Sequence, residues 1–163
     1  MNTKLPNISL NATNNQQINL SLLNNIVVIY IFPKVSNPTE QVIKNWNIIP
    51  GAKGCTSQSC SFRDYNKELK QLNATLFGLS IQSISYQNEV KNRLHLPFEL
   101  LSDQNLRFSK SLNLPTMTIE NNIFLKRLTL ICKNGIIKKI FYPINNPETN
   151  VNDVISYISN KLV

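Results

Sequence analysis

The sequence has few of the features that mark fibrous, secreted or membrane-spanning proteins. It holds only four glycines and eight prolines among 163 residues, which excludes a collagen-like or low-complexity chain. Its longest apolar run, residues 26–32, is far shorter than the roughly 20 residues that cross a bilayer. Residues 1–25 are polar and lack the apolar segment of a secretory signal. We therefore expect a soluble cytoplasmic protein with no membrane partner.

Histidine and cysteine are also scarce. The one histidine, His95, and the three cysteines have spacings that make a poor zinc pattern, so we expect no metal. We expect His95 at the end of a helix and Cys132 buried in an apolar strand. Three cysteines are too few for a secreted disulfide scaffold, but Cys55 and Cys60 lie close together in the sequence. Such a pair in a reducing compartment suggests redox chemistry.

Acidic residues are few, and the formal net charge is +8. Nucleic-acid binding requires the cations to gather on one face. Here they are scattered, and the densest run, within residues 126–139, alternates with apolar residues. We therefore expect no nucleic-acid partner, although a non-enzymatic basic binding protein stays an open alternative on the charge alone. The 42% hydrophobic content fits one folded domain over residues 1–163.

Strand and helix patterns alternate along the chain. Strand patterns cover an opening hairpin at 8–20, then 26–32, 74–81, 98–101, 126–132 and 136–142, the last two joined by the turn residues Asn134-Gly135. Helix patterns cover 55–72, 85–94 with Ser85 as its N-cap, 103–112 with Asp103 as its N-cap, and 152–162. This order predicts an α/β, thioredoxin-like fold with a mixed central sheet, helices on both faces and an N-terminal β-hairpin.

One long loop interrupts this alternation. Residues 34–53 contain Pro38, Pro50 and Gly51 and show no clear periodicity beyond one helical turn around 40–46. We expect Trp46 to anchor this loop on the core. Long loops in compact domains are usually functional, which draws attention to the residues that follow it.

Cys55 directly follows Gly54, at the point where the loop becomes a helix. A helix N-terminus offers free N–H groups and a partial positive charge, and both favour thiolate over thiol. In a regular helix Cys60 lies about 7.5 Å further along the axis and about 140° around it. A disulfide requires the Cα atoms within about 6.8 Å, so the two cysteines either never pair or pair only after the helix partly unwinds. In the first case Cys60 is simply a buried helix residue.

The motif Gly-Cys-Thr-x-x-x-Cys-x-Phe-Arg-Asp, residues 54–64, resembles the active-site segment of the peroxiredoxin Q subfamily, also called the bacterioferritin-comigratory-protein type. Weaker similarities to the same subfamily lie before and after this motif, in the expected order, at 30–34, 77–80, 100–103 and 126–135. Together they extend over nearly the whole chain, from about residue 5 to residue 162.

The resemblance implies a thiol-dependent peroxidase that reduces hydrogen peroxide and organic hydroperoxides. Cys55 would be the peroxidatic cysteine, Cys60 the resolving cysteine, and Arg127 the residue that holds the thiolate and polarises the peroxide. Thioredoxin or a glutaredoxin-like dithiol would recycle the disulfide, without metal, haem or flavin, and the chain would be a monomer or a weak homodimer.

The sequence departs from the family pattern just before Cys55. A threonine is expected three residues before the cysteine and a proline four residues earlier, but Ala52 and Ile48 stand there. Pro33 would then be the family proline, displaced by an insertion at about 34–53. The peroxide-orienting hydroxyl would have to come from elsewhere, with Ser36, Thr39 and Thr56 as candidates. This departure keeps open a second function, a disulfide exchanger or redox relay or sensor with weak peroxidase activity.

Overall fold

A seven-stranded mixed sheet forms the centre of the computed structural model, which describes residues 2–41 and 43–163. Its strands are β1 (Ser9–Ala12), β2 (Gln17–Asn19), β3 (Ile26–Ile31), β4 (Ala74–Ser80), β5 (Glu99–Ser102), β8 (Leu128–Lys133) and β9 (Ile136–Phe141). They lie in the order β2-β1-β5-β4-β3-β8-β9; β3, β4 and β5 run parallel, and the other neighbouring pairs are antiparallel. A separate two-stranded hairpin is formed by β6 (Thr116–Ile119) and β7 (Asn122–Leu125).

Five α-helices accompany the sheet in the described part of the chain: α1 (Cys55–Asp64), α2 (Asn66–Gln71), α3 (Ile84–Leu94), α4 (Arg107–Ser111) and α5 (Asn150–Tyr157). Short 3₁₀ turns occur at Leu20–Leu22 and Trp46–Ile48, and a π turn at Ile158–Leu162 extends α5.

The two faces of β3 hold the two halves of the core. Every residue of this β-branched run is buried. Because successive strand residues point to opposite faces, Val28 and Tyr30 pack in the layer of α1, α2, α3 and α5, while Val27 and Ile29 pack with Phe108 of α4 on the other side. This arrangement confirms the predicted α/β, thioredoxin-like fold with a mixed sheet, helices on both faces and an N-terminal hairpin.

Four local predictions were wrong. The helix predicted over 103–112 with Asp103 as its N-cap begins only at Arg107, after Leu106, although the Asp103 carboxylate accepts the N–H groups of Phe108 and Ser109. The N-cap of α3 is Ser83, whose hydroxyl accepts the N–H of Tyr86, and Ser85 lies inside the helix. The helix predicted over 55–72 is divided at Tyr65, whose backbone (φ −103°, ψ 8°) is not helical. The helical turn predicted at 40–46 forms later, at Trp46–Ile48, and Val42 lies outside the described residues.

Trp46 anchors the 34–53 loop, as predicted. Its ring meets Phe124 of β7 edge to face, with centroids 5.3 Å apart, in a cluster with Ala52 and Ile119. The loop therefore rests on the β6–β7 hairpin, which was not predicted. That the loop is an insertion in a single domain stays a prediction.

The start of the same loop is tied to α3 by a polar cluster around Glu40. Lys34 Nζ lies 2.8 Å from the Glu40 carboxylate, and the hydroxyl of Tyr86 donates to the same oxygen at 2.7 Å. Burial alone would raise the pKa of Glu40, but the hydrogen bonds from Lys34 and Tyr86 outweigh it, so the pKa is lowered. Arg93 adds a bond to the Ser36 carbonyl at 2.9 Å.

Candidate active site

Cys55 is the first residue of α1 and is buried, with 3% of its surface exposed. The helix begins here because Gly54 adopts φ +104°, a backbone conformation that favours glycine. A Cβ at Gly54 would lie 2.8 Å from the Pro147 ring, so the close packing of the loop before α5 requires glycine as well. The Cys55 sulfur thus lies at the helix N-terminus, 3.7 Å from the carbonyl oxygen of Ala52.

Arg127 brings a cation to this sulfur. Its Nη2 lies 3.1 Å from Cys55 Sγ and also donates to the carbonyls of Gly51 at 3.2 Å and Lys53 at 2.9 Å. The sequence placed Arg127 on a strand, but it lies just before β8, because ladder pairing with β3 begins at Leu128. Its side chain nevertheless turns inward and is 3% exposed.

The charge of Arg127 has no acidic partner within residues 2–41 and 43–163. Its Nη1 donates to the neutral amide oxygen of Gln58 at 2.7 Å, no salt bridge of the described residues includes it, and its Nε has no protein partner. A buried charge is costly unless a partner compensates it. The described group placed closest to compensate this cation is Cys55, whose Sγ lies 3.1 Å from Arg127 Nη2 and can carry a negative charge.

A second layer of buried side chains holds Gln58. Its amide nitrogen faces Asn150 Oδ1 at 3.4 Å, and the hydroxyl of Thr129 donates to the same Asn150 oxygen at 2.7 Å. Sequence reasoning missed all three residues. For Gln58 a signal was available, because it lies one helical turn after Cys55 and therefore on the same side of α1.

Cys60 lies on α1 and is partly buried against the core. The helix is continuous from Cys55 to Asp64, and the cysteines are free. Tyr30 contacts α1 on both sides of Cys60. The Tyr30 hydroxyl donates a hydrogen bond to Ser59 Oγ at 3.0 Å, and the Tyr30 ring stacks on Phe62 with centroids 4.7 Å apart. Burial raises the pKa of Tyr30, which stays a neutral phenol.

A cavity opens above Cys55. Trp46 and Ala52 form the apolar part of its wall, and Lys53 adds a positive charge. Ser36 and Thr56 also line it, so both remain possible sources of the hydroxyl that Ala52 cannot supply. Thr39, the third candidate, does not line the cavity and bonds to Asn37 instead.

The remaining residues singled out from the sequence lie away from this sulfur. Burial raises the pKa of Cys132 in β8 to about 12, which makes it an inert thiol. His95 ends α3 in a left-handed conformation and is exposed. Arg63 pairs with Asp64 at 2.9 Å and donates to the Leu94 carbonyl at 2.8 Å, a structural role.

Two further features are absent from the described ranges. No group of three or more His, Cys, Asp or Glu side chains is arranged there to hold a metal ion. No helix within those ranges is long and apolar enough to cross a membrane.

Comparison with known proteins identifies the family. The Redoxin family matches residues 1–155. The chain belongs to the redoxin family. Among curated relatives, peroxiredoxin Q from Oryza sativa subsp. japonica is 25% identical over 94% of this redoxin, which spans 64% of that relative's length. The relative is named chloroplastic, and so is peroxiredoxin Q from Triticum aestivum, which is 24% identical over 95% of the chain and also covered for 64% of its length.

Solved structures show the same fold. Peroxidoxin BcpB from Mycobacterium tuberculosis superposes with a TM-score of 0.78 at 17% identity, covering 97% of this redoxin and 95% of that chain. A cysteine-to-serine mutant of PrxQ from Xylella fastidiosa superposes with a TM-score of 0.77 at 20% identity, covering 98% and 92%. These structures show the shared fold, and the curated relatives confirm the resemblance to the peroxiredoxin Q subfamily.

Proposed function

We propose that this redoxin is a thiol-dependent peroxidase that reduces hydrogen peroxide and organic hydroperoxides. The observation that carries the proposal is the 3.1 Å contact between Cys55 Sγ and the buried, otherwise uncompensated guanidinium of Arg127. The relatives support it, since they are named peroxiredoxins, and one of the structural neighbours is described for the alkyl peroxide reduction activity of a bacterioferritin comigratory protein from Xanthomonas campestris.

In the first step the Cys55 thiolate attacks one oxygen of the peroxide and the O–O bond breaks. Cys55 loses two electrons and becomes a sulfenic acid, while the other oxygen takes a proton and leaves as water or an alcohol. The N–H groups of Arg127 hold the thiolate beforehand. They then stabilise the negative charge that develops on the peroxide oxygens in the transition state.

In the second step the thiolate of Cys60 attacks the Cys55 sulfenic sulfur. The S–S bond forms, the S–O bond breaks, and the sulfenic oxygen takes a proton and leaves as water. The two residues are too far apart along α1 for this bond, so the turns between them must open first. A dithiol of the thioredoxin or glutaredoxin class would then reduce the disulfide and become oxidised itself.

Stopped-flow oxidation tests these roles. Trp46 is the only tryptophan and lines the Cys55 cavity, so its fluorescence should report the oxidation of Cys55. We expect Cys55→Ser to abolish peroxide consumption, Cys60→Ser to stop at the sulfenate, and Arg127→Ala to slow the first step by at least about tenfold. Cys132→Ala is the matched control and should behave like the wild type. Full peroxide turnover by Cys55→Ser would refute the proposal.

One observation favours a second function, a disulfide exchanger or redox relay or sensor with weak peroxidase activity. Where the resemblance leads us to expect a threonine hydroxyl, Ala52 offers the sulfur only its backbone carbonyl at 3.7 Å. Fast exchange of Cys55 with a test disulfide, together with slow reaction with every peroxide tried, would support this function. Ala52→Thr should then raise the peroxide rate.

Assembly and location stay predictions. We expect a monomer or a weak homodimer in the cytoplasm, whereas the plant relatives are named chloroplastic. Analytical ultracentrifugation of the reduced and the oxidised protein would test the first expectation.

A further inference from the structure

Tyr30 contacts α1 on both sides of Cys60. Its hydroxyl bonds to Ser59 Oγ at 3.0 Å, and its ring lies nearly parallel to that of Phe62, at 11° and 4.7 Å. All three side chains are almost fully buried. Tyr30 itself comes from β3, a fully buried strand inside the sheet, so these contacts tie the Cys60 turn of the helix to the core of the protein.

We expect the proposed second step to break the contact between Tyr30 and Ser59. Cys60 can reach Cys55 only if the helix opens between them, and Ser59 lies in the opening segment. If opening is a rapid equilibrium with a small open fraction, the rate of disulfide formation is proportional to that fraction. Any bond present only in the closed helix therefore slows disulfide formation.

We infer that Tyr30 is a positioning residue whose hydroxyl holds the Cys60 turn closed and thereby sets how the Cys55 sulfenate is partitioned. This inference rests on the proposed function. The sulfenate has two fates. Cys60 can attack it, which gives a disulfide and water. Alternatively, a second peroxide molecule transfers one oxygen to the sulfur, which becomes sulfinic acid, and the rest of the peroxide is released as water or an alcohol. A tighter closed helix favours the second fate.

Other contacts hold the same helix, but they cannot be removed as cleanly. Gln58 bonds to Arg127, so its loss would change the first step as well. Phe62 is fully buried, and truncating it would leave a large cavity. The Tyr30 hydroxyl can be removed alone, because phenylalanine keeps the ring stacked on Phe62. The hydroxyl bonds to α1 through Ser59, which does not belong to the group of side chains around the Cys55 sulfur, Arg127 and Gln58.

The test compares the two steps in Tyr30→Phe and wild-type protein. Loss of one neutral hydrogen bond from the closed helix should make disulfide formation about two- to tenfold faster in the variant. Rapid-quench alkylation and mass spectrometry measure this rate. At excess peroxide the sulfinic fraction should fall by a similar factor. Sulfenate formation, measured in a Cys60→Ser background, should change by less than about twofold. Amide hydrogen exchange over residues 59–62 of the reduced protein should become faster.

Ser59→Ala removes the same bond from the helix side and should give the same result. The double variant should be no faster than either single variant, because both changes break one bond. Tyr157→Phe is the matched control: it removes a tyrosine hydroxyl that ties α5 to the carbonyl of Lys138 at 3.1 Å, and it should leave disulfide formation unchanged.

The outcomes separate this inference from the proposed function. Absence of any sulfenate on Cys55 in Cys60→Ser, or of a Cys55–Cys60 disulfide in the wild type, would overturn the proposed function. A normal sulfenate and disulfide in the wild type, with an unchanged or slower disulfide rate in both Tyr30→Phe and Ser59→Ala, would overturn the role of Tyr30 alone. So would an equal acceleration by Tyr157→Phe.

Discussion

The amide oxygen of Gln58 accepts a hydrogen bond from Arg127 Nη1 at 2.7 Å, so the cation beside Cys55 is held by a neutral partner. A carboxylate in the same place would hold Arg127 equally well but would neutralise much of its charge. Because Gln58 is neutral, the full charge remains available to a thiolate on Cys55. The side-chain amide of Gln58 must, however, keep one orientation, because a flipped amide would turn its own N–H groups toward the guanidinium of Arg127.

Asn150 supplies that orientation. Its Oδ1 lies 3.4 Å from the amide nitrogen of Gln58 and accepts the hydroxyl of Thr129 at 2.7 Å. An acceptor at this place keeps the nitrogen of Gln58 toward Asn150 and the oxygen toward Arg127. Asn150 is the first residue of α5, so the packing of that helix also fixes the arginine.

We expect Asn150→Ala to slow the oxidation of Cys55 by about three- to tenfold, because Gln58 loses the group that orients it. Stability should fall by about 1–3 kcal/mol, since buried donors of Gln58 and Thr129 are left unpaired. Stopped-flow kinetics and urea unfolding measure the two effects. Asn150→Asp keeps both acceptor bonds and should restore most of the rate, whereas the exposed Asn152→Ala, on the same helix, should change neither quantity. A wild-type rate in Asn150→Ala would contradict the positioning role.

Gly54→Ala tests the helix start at Cys55. Two costs combine there, a positive φ of +104° and a Cβ only 2.8 Å from Pro147 Cγ. Gly51→Ala is the matched comparison, because Gly51 also has a positive φ, +79°, but a Cβ there meets nothing within 4 Å. We expect Gly51→Ala to cost about 1 kcal/mol and Gly54→Ala about 2–4 kcal/mol in urea unfolding. Only Gly54→Ala should also slow Cys55 oxidation markedly. Equal effects of the two variants would show that contact with Pro147 plays no part.

Local sequence signals were sufficient for the parts of the fold that depend on neighbouring residues. The β-branched run became the buried strand Ile26–Ile31, and Asn134-Gly135 became a hairpin turn with φ of +54° and +72°. The start of α1 at Cys55 followed from the loop-to-helix transition after Gly54. By contrast, the β6–β7 turn uses Glu120 and Asn121, also with positive φ, and glutamate gives no turn signal in a sequence.

The site was only partly predictable, for a physical reason. Cys55 and Cys60 are marked by their spacing, and Arg127 was found through the family resemblance. Gln58 and Asn150 are 92 residues apart, and their meeting depends on how α1 and α5 pack. Single polar residues in ordinary helix positions carry no sign of such a contact. The same holds for Tyr30 and Ser59, 29 residues apart, which look like a strand aromatic and a helix serine.

The Glu40 cluster predicts a specific dependence of stability on pH. The pKa of Glu40 is lowered in the folded state from its ordinary value of 4.5. The contribution of Glu40 to the stability of the folded state is therefore complete above pH 4.5 and is lost as the pH falls through the lowered pKa. Glu40→Gln should reduce stability at pH 7 by about 0.5–1 kcal/mol, and the difference from wild type should shrink at about pH 3. Urea unfolding at both pH values measures this. Exposed Glu148→Gln is the control, and a difference that grows in acid would contradict the prediction.

Cys132 should resist modification in the folded protein. It is buried in β8, and burial raises its pKa to about 12, so almost no thiolate forms near pH 8. Iodoacetamide at that pH should label the partly exposed Cys60 and leave Cys132 unmodified, whereas urea should make Cys132 reactive. Mass spectrometry of the labelled peptides distinguishes the sites. Labelling of native Cys132 as fast as Cys60 would contradict its burial.

The same raised pKa predicts a loss of stability in alkali. Since the folded state holds the Cys132 proton more tightly than the unfolded chain, whose thiol titrates near pH 9.0, its contribution is complete below pH 9.0 and declines as the pH rises toward 12. Cys132→Val has a similar volume and no proton to lose, so stability of this variant should fall less steeply between about pH 9 and pH 11. Urea unfolding across this range measures the slope. Parallel slopes for the variant and the wild type would mean that the Cys132 thiol titrates alike in the folded and unfolded chains, and that its burial imposes no desolvation cost on the thiolate.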